Sequence, residues 1–322
     1  MSNIIRNRPR YRRTAAVAAA ASALVAGVLS ASAGAQQTTT PPDASGNYSF
    51  QTANNSKDLT FNQLLGINNS DTIAGYFGSG KPGHPNKGYT LHVNFRSENF
   101  PRSAQTQVIG LNNNGATVGF WANGAGANFG FYSMNGQFHT ADYPTKDMAK
   151  TPMDQLLGIN NGGLAVGFYQ DHKGVNHGYW YDVNTHRYGM VPVSGDTNVT
   201  AAAINGLGDI AGFATNGVGN TEGFLRLQSG RVVHLNVPGA AATQATGINN
   251  GDEVVGNYTV GTGNNAMTYG FVWAPGLGFR TVNDPKGIGS TIINGVNDRG
   301  QVVGFYTDQA GNTDGFVARP QG

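Results

Sequence analysis

An apolar residue followed by asparagine recurs six times at nearly constant intervals, and this repeat limits the possible folds more than any other feature. The six pairs are Ile67-Asn68, Leu111-Asn112, Ile159-Asn160, Ile204-Asn205, Ile248-Asn249 and Val296-Asn297. Successive pairs are 44, 48, 45, 44 and 48 residues apart. A period of this length indicates a repeated supersecondary unit that packs on its neighbours to bury a common core.

Two glycines follow each pair, the first at a fixed distance and the second at a variable one. Eight residues after the apolar residue stand Gly75, Gly119, Gly167, Gly212, Gly256 and Gly304. A glycine followed by an aromatic residue comes 11 to 14 residues later, at Gly88, Gly130, Gly178, Gly223, Gly270 and Gly315. This spacing predicts a strand, a tight turn, a second strand and then a loop. We expect the first glycine to admit an aromatic ring or backbone of a neighbouring unit.

Each repeat can be divided into four short strands. In the third copy the predicted strands are 155–160, 164–169, 178–183 and 187–193, separated by turns that contain Asn and Gly. The repeated asparagine stands at the first turn, where we expect its side chain to hydrogen-bond the turn's own backbone. A ring of six ligand-binding amides is the alternative interpretation of these asparagines.

Six four-stranded units predict an all-β fold, a six-bladed β-propeller with antiparallel blades. The last copy lacks a fourth strand, and the segment Tyr48–Thr52 is similar to the fourth-strand segments of other copies. We therefore expect Tyr48–Thr52 to supply that strand and close the ring, which also removes exposed edges. A β-solenoid in which each repeat makes two coils is the alternative.

The repeated motifs resemble the bacterial extracellular HAF repeat family, which is named after a His-Ala-Phe triplet. The resemblance covers residues 48–322 and depends on Gly66-Ile67-Asn68-Asn69, Gly158-Ile159-Asn160-Asn161, Gly247-Ile248-Asn249-Asn250, Val166-Gly167-Phe168-Tyr169 and Val303-Gly304-Phe305-Tyr306. The triplet itself differs, because its middle residue is Gly in every copy and His precedes it only in His177-Gly178-Tyr179. The resemblance implies export and a repeat architecture, and no particular ligand.

The N-terminal segment 1–35 has the features of a signal peptide. Five arginines precede an Ala-rich apolar run over 15–29, and Ala33-Gly34-Ala35 offers a small-residue cleavage site. An uncleaved membrane anchor is the alternative, but the run is shorter than the roughly 20 residues that a spanning helix needs. We therefore expect a secreted or periplasmic protein with no membrane span after cleavage. Residues 36–46 are polar and predict a disordered linker before the repeat domain 47–322.

The charge and cysteine content exclude some partners. Removal of residues 1–35 leaves 15 basic against 18 acidic residues, a net charge of −3, so no basic surface predicts nucleic-acid binding. The chain contains no cysteine, and its stability cannot depend on disulfides. We expect the protein to be a monomer.

The loops after the second strands are the predicted binding region. They span residues 78–87, 122–128, 170–177, 215–222, 259–269 and 307–314, and in equivalent repeats they all lie at one end of the ring. Loops on a rigid frame are where binding sites usually lie. The candidate ligand-binding residues near them are Trp121, Tyr169, Asp171, His172, His177, Tyr258 and Tyr306.

No catalytic, metal-binding or cofactor-binding motif is present in the sequence. Asp171, His172 and His177 have no recognised metal-ligand spacing, nor do Asp308, Asn312 and Asp314. Asp252 and Glu253 are neighbours on a predicted strand, so they point to opposite faces. We therefore assign no catalytic residue, metal or cofactor.

These observations favour an exported, non-catalytic binding module for an extracellular glycan, peptide or protein. Aromatic and amide side chains near the loops suit such ligands. Two alternatives remain: a secreted polysaccharide hydrolase or lyase that uses carboxylates at the channel mouth, and a structural envelope protein.

Overall fold

The computed structural model describes residues 40–321 of the chain. Over this range the structure consists of strands and turns, with two short 3-10 helices at Ser45–Asn47 and Gly263–Asn265. The predicted all-β class is confirmed. The predicted signal peptide lies outside the described residues. No helix within 40–321 has the length and apolar character needed to cross a membrane.

The strands form antiparallel units of four, here named first to sixth unit in chain order, and the N-terminal strand belongs to the sixth unit. The first unit contains β2 (Asn62–Ile67), β3 (Ile73–Phe77), β4 (Lys87–Leu91) and β5 (Phe95–Ser97). The second contains β6 (Gln105–Leu111), β7 (Thr117–Ala122), β8 (Asn128–Met134) and β9 (Gln137–Thr140). The third contains β10 (Asp154–Ile159), β11 (Leu164–Gln170), β12 (Asn176–Asp182) and β13 (Arg187–Met190). The four strands predicted in the third copy agree with β10–β13 to within about three residues at each end.

The next two units are joined into one eight-stranded sheet by a single parallel pair, Thr221 with Ala242. Their strands are β14 (Thr197–Ile204), β15 (Ile210–Thr215), β16 (Thr221–Arg226), β17 (Val232–Leu235), β18 (Ala242–Ile248), β19 (Val254–Val260), β20 (Met267–Ala274) and β21 (Gly278–Thr281). The sixth unit contains β22 (Thr291–Val296), β23 (Val302–Thr307), β24 (Thr313–Pro320) and the N-terminal β1 (Tyr48–Thr52).

Strand β1 pairs antiparallel with β24, as the sequence predicts. Tyr48 lies opposite Pro320 and Thr52 lies opposite Phe316. Phe50 packs on Phe316, with ring centroids 5.6 Å apart. The N-terminal strand is therefore the fourth strand of the sixth unit.

The expectation of a disordered linker differs from the structure over residues 41–46, whereas 36–39 lie outside the described residues. Thr281 of β21 donates its backbone N–H to the Pro42 carbonyl at 2.9 Å and accepts the Ala44 N–H at 2.8 Å. Ala44 is buried in an apolar cluster with Val272 and Val282. The segment is ordered because it hydrogen-bonds to the outer edge of the fifth unit, which it covers.

The first strands of the units lie side by side around a central cavity. Each contacts the first strand of the next unit, and β22 contacts β2. The first strand of every unit has a β-bulge where it pairs with the second strand. The bulged residues line the cavity, and they are Leu65, Ile109, Leu157, Ala202, Thr246 and Asn294. A glycine follows the bulge in every unit but the fourth. A Cβ at Gly110 would lie 2.6 Å from the Leu157 carbonyl oxygen, so this glycine lets adjacent first strands approach.

The glycine of the second strand approaches its own unit and not a neighbouring one, which corrects the expectation above. A Cβ at Gly167 would lie 1.9 Å from the carbonyl oxygen of Gln155, which precedes Leu156, the residue opposite Gly167 on β10. In the fourth unit a Cβ at Gly212 would lie 2.2 Å from the Thr200 carbonyl oxygen and 2.6 Å from the ring of Phe224, on the third strand. The bulge and the third-strand aromatic ring together leave no space for a side chain there.

The repeated asparagines close their own turns, as predicted, and also link the units. Asn160 Oδ1 accepts hydrogen bonds from the Gly162 and Leu164 N–H groups, both at 3.0 Å. Its Nδ2 donates to the carbonyl of Asn205, the equivalent residue of the next unit, at 3.1 Å. The same bonds recur in all six units. Their polar atoms therefore have partners within the protein, which disfavours a ring of ligand-binding amides.

Candidate ligand-binding site

One cross-strand pair stands at the loop end of every unit. Its first member lies two residues after the second-strand glycine, and its second member lies just before the third-strand glycine. The six pairs are Phe77–Lys87, Trp121–Phe129, Tyr169–His177, Ala214–Glu222, Tyr258–Tyr269 and Tyr306–Asp314. We call them the variable pairs, because the chemistry differs in each unit while the backbone frame repeats. Such variation on a fixed frame is typical of a binding surface.

Two of the predicted ligand contacts are inaccessible in the structure. Tyr258 and Tyr306 are each only 2% exposed. Their hydroxyl groups hydrogen-bond the Oγ1 atoms of Thr281 at 2.8 Å and Thr52 at 3.0 Å. Both threonines end the fourth strand of the same unit. The sequence prediction is therefore wrong for these two tyrosines, because the outer strand covers them.

Trp121 lies in a separate aromatic stack in the second unit. Its ring is sandwiched between Phe100, at 4.7 Å and 9°, and Phe129, at 4.6 Å and 28°. The indole Nε1 is buried and makes no hydrogen bond in the described structure. The Trp121 side chain as a whole is half-buried. It belongs to the second unit, whereas the predicted site residues Asp171, His172 and His177 belong to the third.

In the third unit three rings form a column that reaches the surface. Tyr143 stacks on Tyr169 with centroids 4.7 Å apart, and Tyr169 stacks on His177 at 5.0 Å. Tyr169 itself is buried between the two. The His177 side chain is 35% exposed, so an imidazole face at the outer end of an aromatic column is open to solvent.

Asp171 holds the His177 imidazole in place. Its Oδ2 lies 3.0 Å from His177 Nε2, while its Oδ1 accepts the Lys173 and Val175 backbone N–H groups at 2.8 and 2.9 Å. The hydrogen bond from His177, followed by that from Val175, lowers the pKa of Asp171 to about 2. The carboxylate is therefore charged at neutral pH and orients the ring beside it.

A second Asp–His pair lies at the rim of the same unit. His172 Nδ1 hydrogen-bonds Asp147, and the His172 backbone N–H donates to the Asp147 carbonyl at 2.9 Å. Both side chains are more than half exposed. Asp147 belongs to the segment that leads from β9 into β10, which also carries Tyr143. We refer to Tyr143, Asp147, Tyr169, Asp171, His172 and His177 as the third-unit site.

The structure thus brings together four of the seven predicted residues, Tyr169, Asp171, His172 and His177, and separates them from Trp121, Tyr258 and Tyr306. Tyr143 and Asp147 were missed because the connection that carries them precedes the strands of the unit. The other polar set weighed in the sequence comes together only in part: Asp308 accepts the Asn312 side-chain amide at 3.0 Å and N–H groups of its own turn, whereas Asp314 accepts the Asn54 side-chain amide at 2.6 Å.

A cluster of two carboxylates and an imidazole lies at the loop end of the fourth unit, and the sequence analysis missed it. His234 Nδ1 is 2.7 Å from Glu222 Oε1 and 3.9 Å from Asp196 Oδ2. It adjoins the third unit, because the Asn176 N–H donates to Asn198 Oδ1 at 2.8 Å, two residues after Asp196. Glu222 occupies the position in its unit that His177 occupies in the third. Inspection of the residue before each third-strand glycine would have identified it.

Two further carboxylates lie beneath the third-unit site. Asp154 is fully buried and accepts hydrogen bonds from the Tyr179 hydroxyl at 2.6 Å and the Tyr143 N–H at 2.7 Å. Burial raises its pKa to about 8, and the nearby Asp142 carboxylate adds to the effect. Burial also raises the pKa of Asp142 to about 6. Three other units have threonine at the position of Asp154: Thr106, Thr243 and Thr291.

The central cavity does not offer comparable chemistry. It is lined mainly by the apolar bulge residues and has a volume of about 90 Å³. Small-molecule sites usually measure roughly 300 to 1,000 Å³. This volume accommodates a few water molecules, and the loop end is therefore the better candidate for ligand binding.

No protein-family model matches the sequence, and no curated protein matches it. Solved structures do match its fold. AofleA from Arthrobotrys oligospora has a TM-score of 0.54 at 11% identity, over 86% of this chain and 90% of that one. The SapL1 lectin in complex with alpha methyl fucoside has a TM-score of 0.51 at 10% identity, over 77% and 89%. At this identity the likeness shows a fold with propeller-like neighbours.

TolB from Acinetobacter baumannii is similar in fold as well. Its TM-score is 0.51 at 9% identity, over 78% of this chain. The chain spans 64% of the length of TolB. The similarity in fold therefore extends over only part of TolB.

Proposed function

We propose that the chain is an exported carbohydrate-binding protein, a six-bladed β-propeller that binds a glycan at the third-unit site. The observation that carries this proposal is the exposed imidazole of His177, stacked on Tyr169 and oriented by Asp171. Sugars present apolar C–H faces and hydroxyl groups. A flat ring beside a charged carboxylate complements both.

Contacts between neighbouring units support the ring arrangement. The first strands of all six units contact in succession, and the last of them, β22, contacts β2. The pairing of β1 with β24 fills the fourth-strand position of the sixth unit. In a propeller of this kind the six variable pairs lie at the same end.

The polar rim of the site supports a hydroxyl-rich ligand. The Asp171–His177 and Asp147–His172 pairs offer carboxylate acceptors and imidazole nitrogens within one unit. A lectin with bound fucoside is among the proteins of similar fold. The signal-peptide features of residues 1–35 support export, and the Gly-Ile-Asn-Asn motifs support a relation to the HAF repeat family.

A glycan array tests the proposal. The purified full chain is compared with His177→Ala and with His84→Ala, since His84 forms an exposed Asp–His pair with Asp58 in the first unit. We expect selective binding by the full chain, lost by at least about tenfold in His177→Ala and retained in His84→Ala. Absence of binding to any glycan at high protein concentration, or equal binding by all three proteins, contradicts the proposal.

Polysaccharide hydrolysis is a second candidate function. It is favoured by the raised pKa values of Asp142 and Asp154, since a carboxyl group with a raised pKa can act as a general acid. Asp154 is fully buried, so the half-buried Asp142 would have to donate the proton. Release of reducing sugar from a polymer by the full chain, abolished in Asp142→Asn, would support this function over simple binding.

A further inference from the structure

The cluster at the loop end of the fourth unit is built from three separate elements. Asp196 lies in the connection before β14, Glu222 is on β16 and His234 is on β17. Pairing of β16 with β17 places Phe224 opposite His234, which brings the imidazole beside Glu222. One donor atom from each of the three residues lies within 4.8 Å of the other two.

One atom of this cluster has no hydrogen-bond partner in the described structure. The Asp196 side chain is only 5% exposed, and its Oδ2 is a buried acceptor without a donor. A carboxylate buried without a partner is costly, and here a second carboxylate lies beside it. The cluster therefore lacks positive charge at the position that Asp196 faces.

We propose that Asp196, Glu222 and His234 bind one divalent metal ion of the class that accepts nitrogen and oxygen ligands, with Zn²⁺ as the best match. One imidazole and two carboxylates are ligands that zinc takes in proteins. A cation between them supplies the partner that Asp196 Oδ2 lacks. It also offsets the repulsion between the two carboxylates.

The donor distances suit this ion after small movements. Zinc bonds of roughly 2.0 to 2.2 Å in a tetrahedral site place the donors about 3.3 Å apart. The observed separations of 2.7 Å and 3.9 Å from His234 Nδ1 lie on either side of that value. The His234 side chain is 45% exposed, so water can complete the coordination.

Two asparagines orient the Glu222 carboxylate from outside the cluster. Asn236 Nδ2 and Asn216 Nδ2 donate to Glu222 Oε2 at 2.7 and 3.2 Å, which leaves Oε1 directed toward His234. Such supporting hydrogen bonds are usual around protein metal sites. The histidine must lose its Nδ1 proton for the metal to bind, which replaces the present hydrogen bond to Glu222.

Isothermal titration calorimetry with ZnCl₂ tests the proposal, on the full chain purified without a histidine tag. We expect one Zn²⁺ per chain and a raised melting temperature with the metal. Asp196→Asn should weaken Zn²⁺ binding by at least about tenfold. Without metal, this variant should unfold at the same or a higher temperature, because its amide can donate to Glu222.

The matched control is His84→Gln, which alters an exposed Asp–His pair without a third ligand. It should bind Zn²⁺ as tightly as the unmodified chain. No one-site binding of Zn²⁺ by the full chain overturns the proposal. Equal Zn²⁺ affinity in Asp196→Asn and the unmodified chain also overturns it. Glycan binding is measured separately, so failure of the metal site leaves the proposed function intact.

Discussion

The side-chain amide of Asn297 donates a hydrogen bond to the backbone carbonyl of Asn68 at 3.2 Å, across 229 residues of chain. Asn68 in turn donates to the carbonyl of Asn112 at 3.0 Å. The series of amide bonds that links successive units thus returns from the last unit to the first. In each unit, the repeated asparagine that closes the local turn therefore also connects that unit to the next one.

Replacing one of these asparagines should destabilise the whole protein. Asn160→Ala removes two hydrogen bonds to the turn and one to Asn205, and leaves backbone groups without partners. We expect a loss of about 1 to 3 kcal/mol in the free energy of unfolding, measured by denaturant titration. Asn264→Ala, in the exposed 3-10 helix Gly263–Asn265, is the control and should change stability little. Equal stability of the two variants would show that the amide series contributes nothing.

The second-strand glycine should not tolerate even a methyl group. Gly167→Ala places a Cβ 1.9 Å from the Gln155 carbonyl oxygen, and we expect a loss of about 3 kcal/mol or more. Gly124→Ala is the matched control, because no atom lies within 4 Å of its added Cβ. Thermal unfolding followed by circular dichroism compares the two. A melting temperature for Gly167→Ala equal to that of the control would refute the close approach.

Loss of the N-terminal strand should expose an edge. Deletion of residues 1–52 leaves β24 without its partner β1 and uncovers β21, whose edge is covered by residues 41–46. We expect a lower melting temperature and concentration-dependent association in size-exclusion chromatography with light scattering. Deletion of residues 1–39 is the control and should leave both measurements unchanged. A monomeric, equally stable 53–322 chain would be inconsistent with a structural role for β1.

Stability should fall with rising pH because of Asp154. Its pKa is about 8 in the folded protein, above the value of an exposed aspartate, so the folded state retains a proton that the unfolded chain releases. Its stabilising contribution is therefore complete at acid pH and is lost as pH rises from about 4 to 8, by at most about 1.4 kcal/mol per pH unit. Asp142, with a pKa of about 6, contributes in the lower half of this window.

Asp154→Asn should remove the Asp154 share of this dependence over the whole window, and leave the share of Asp142 below a pH of about 6. Denaturant titrations at pH 5, 6.5 and 8.5 compare the variant with the unmodified chain. We expect the variant to gain stability relative to the unmodified chain as pH rises. A constant difference between the two across this range would mean that Asp154 ionises alike in both states.

Much of the strand framework could be predicted because it repeats. Asn160 and Gly167 recur at fixed offsets in all six copies, and fixed offsets specify a hairpin whatever its surroundings. The bulge at Leu157 could not be predicted. A single extra residue leaves no trace in apolar periodicity, yet it points that side chain into the central cavity.

The site was predicted only in part, because exposure depends on what covers a strand. Tyr169 and Tyr306 occupy equivalent positions in the repeat and both are buried, but Tyr169 stacks on the partly exposed His177, whereas the Tyr306 hydroxyl hydrogen-bonds Thr52, which lies 254 residues earlier in the chain. Asp196 and His234 are far apart in the sequence and form no recognisable motif. They meet only because β16 pairs with β17 and because the connection before β14 lies beside this pair. Sequence repeats therefore predict the frame better than they predict the side chains that the frame presents.

A crystal structure with the strongest glycan from the array tests the central claim most directly. The account predicts a sugar ring in contact with His177 and within hydrogen-bonding distance of the Asp171 or Asp147 carboxylate. A glycan bound in the central cavity, or against the first, second, fifth or sixth unit with the third-unit site free, would contradict it.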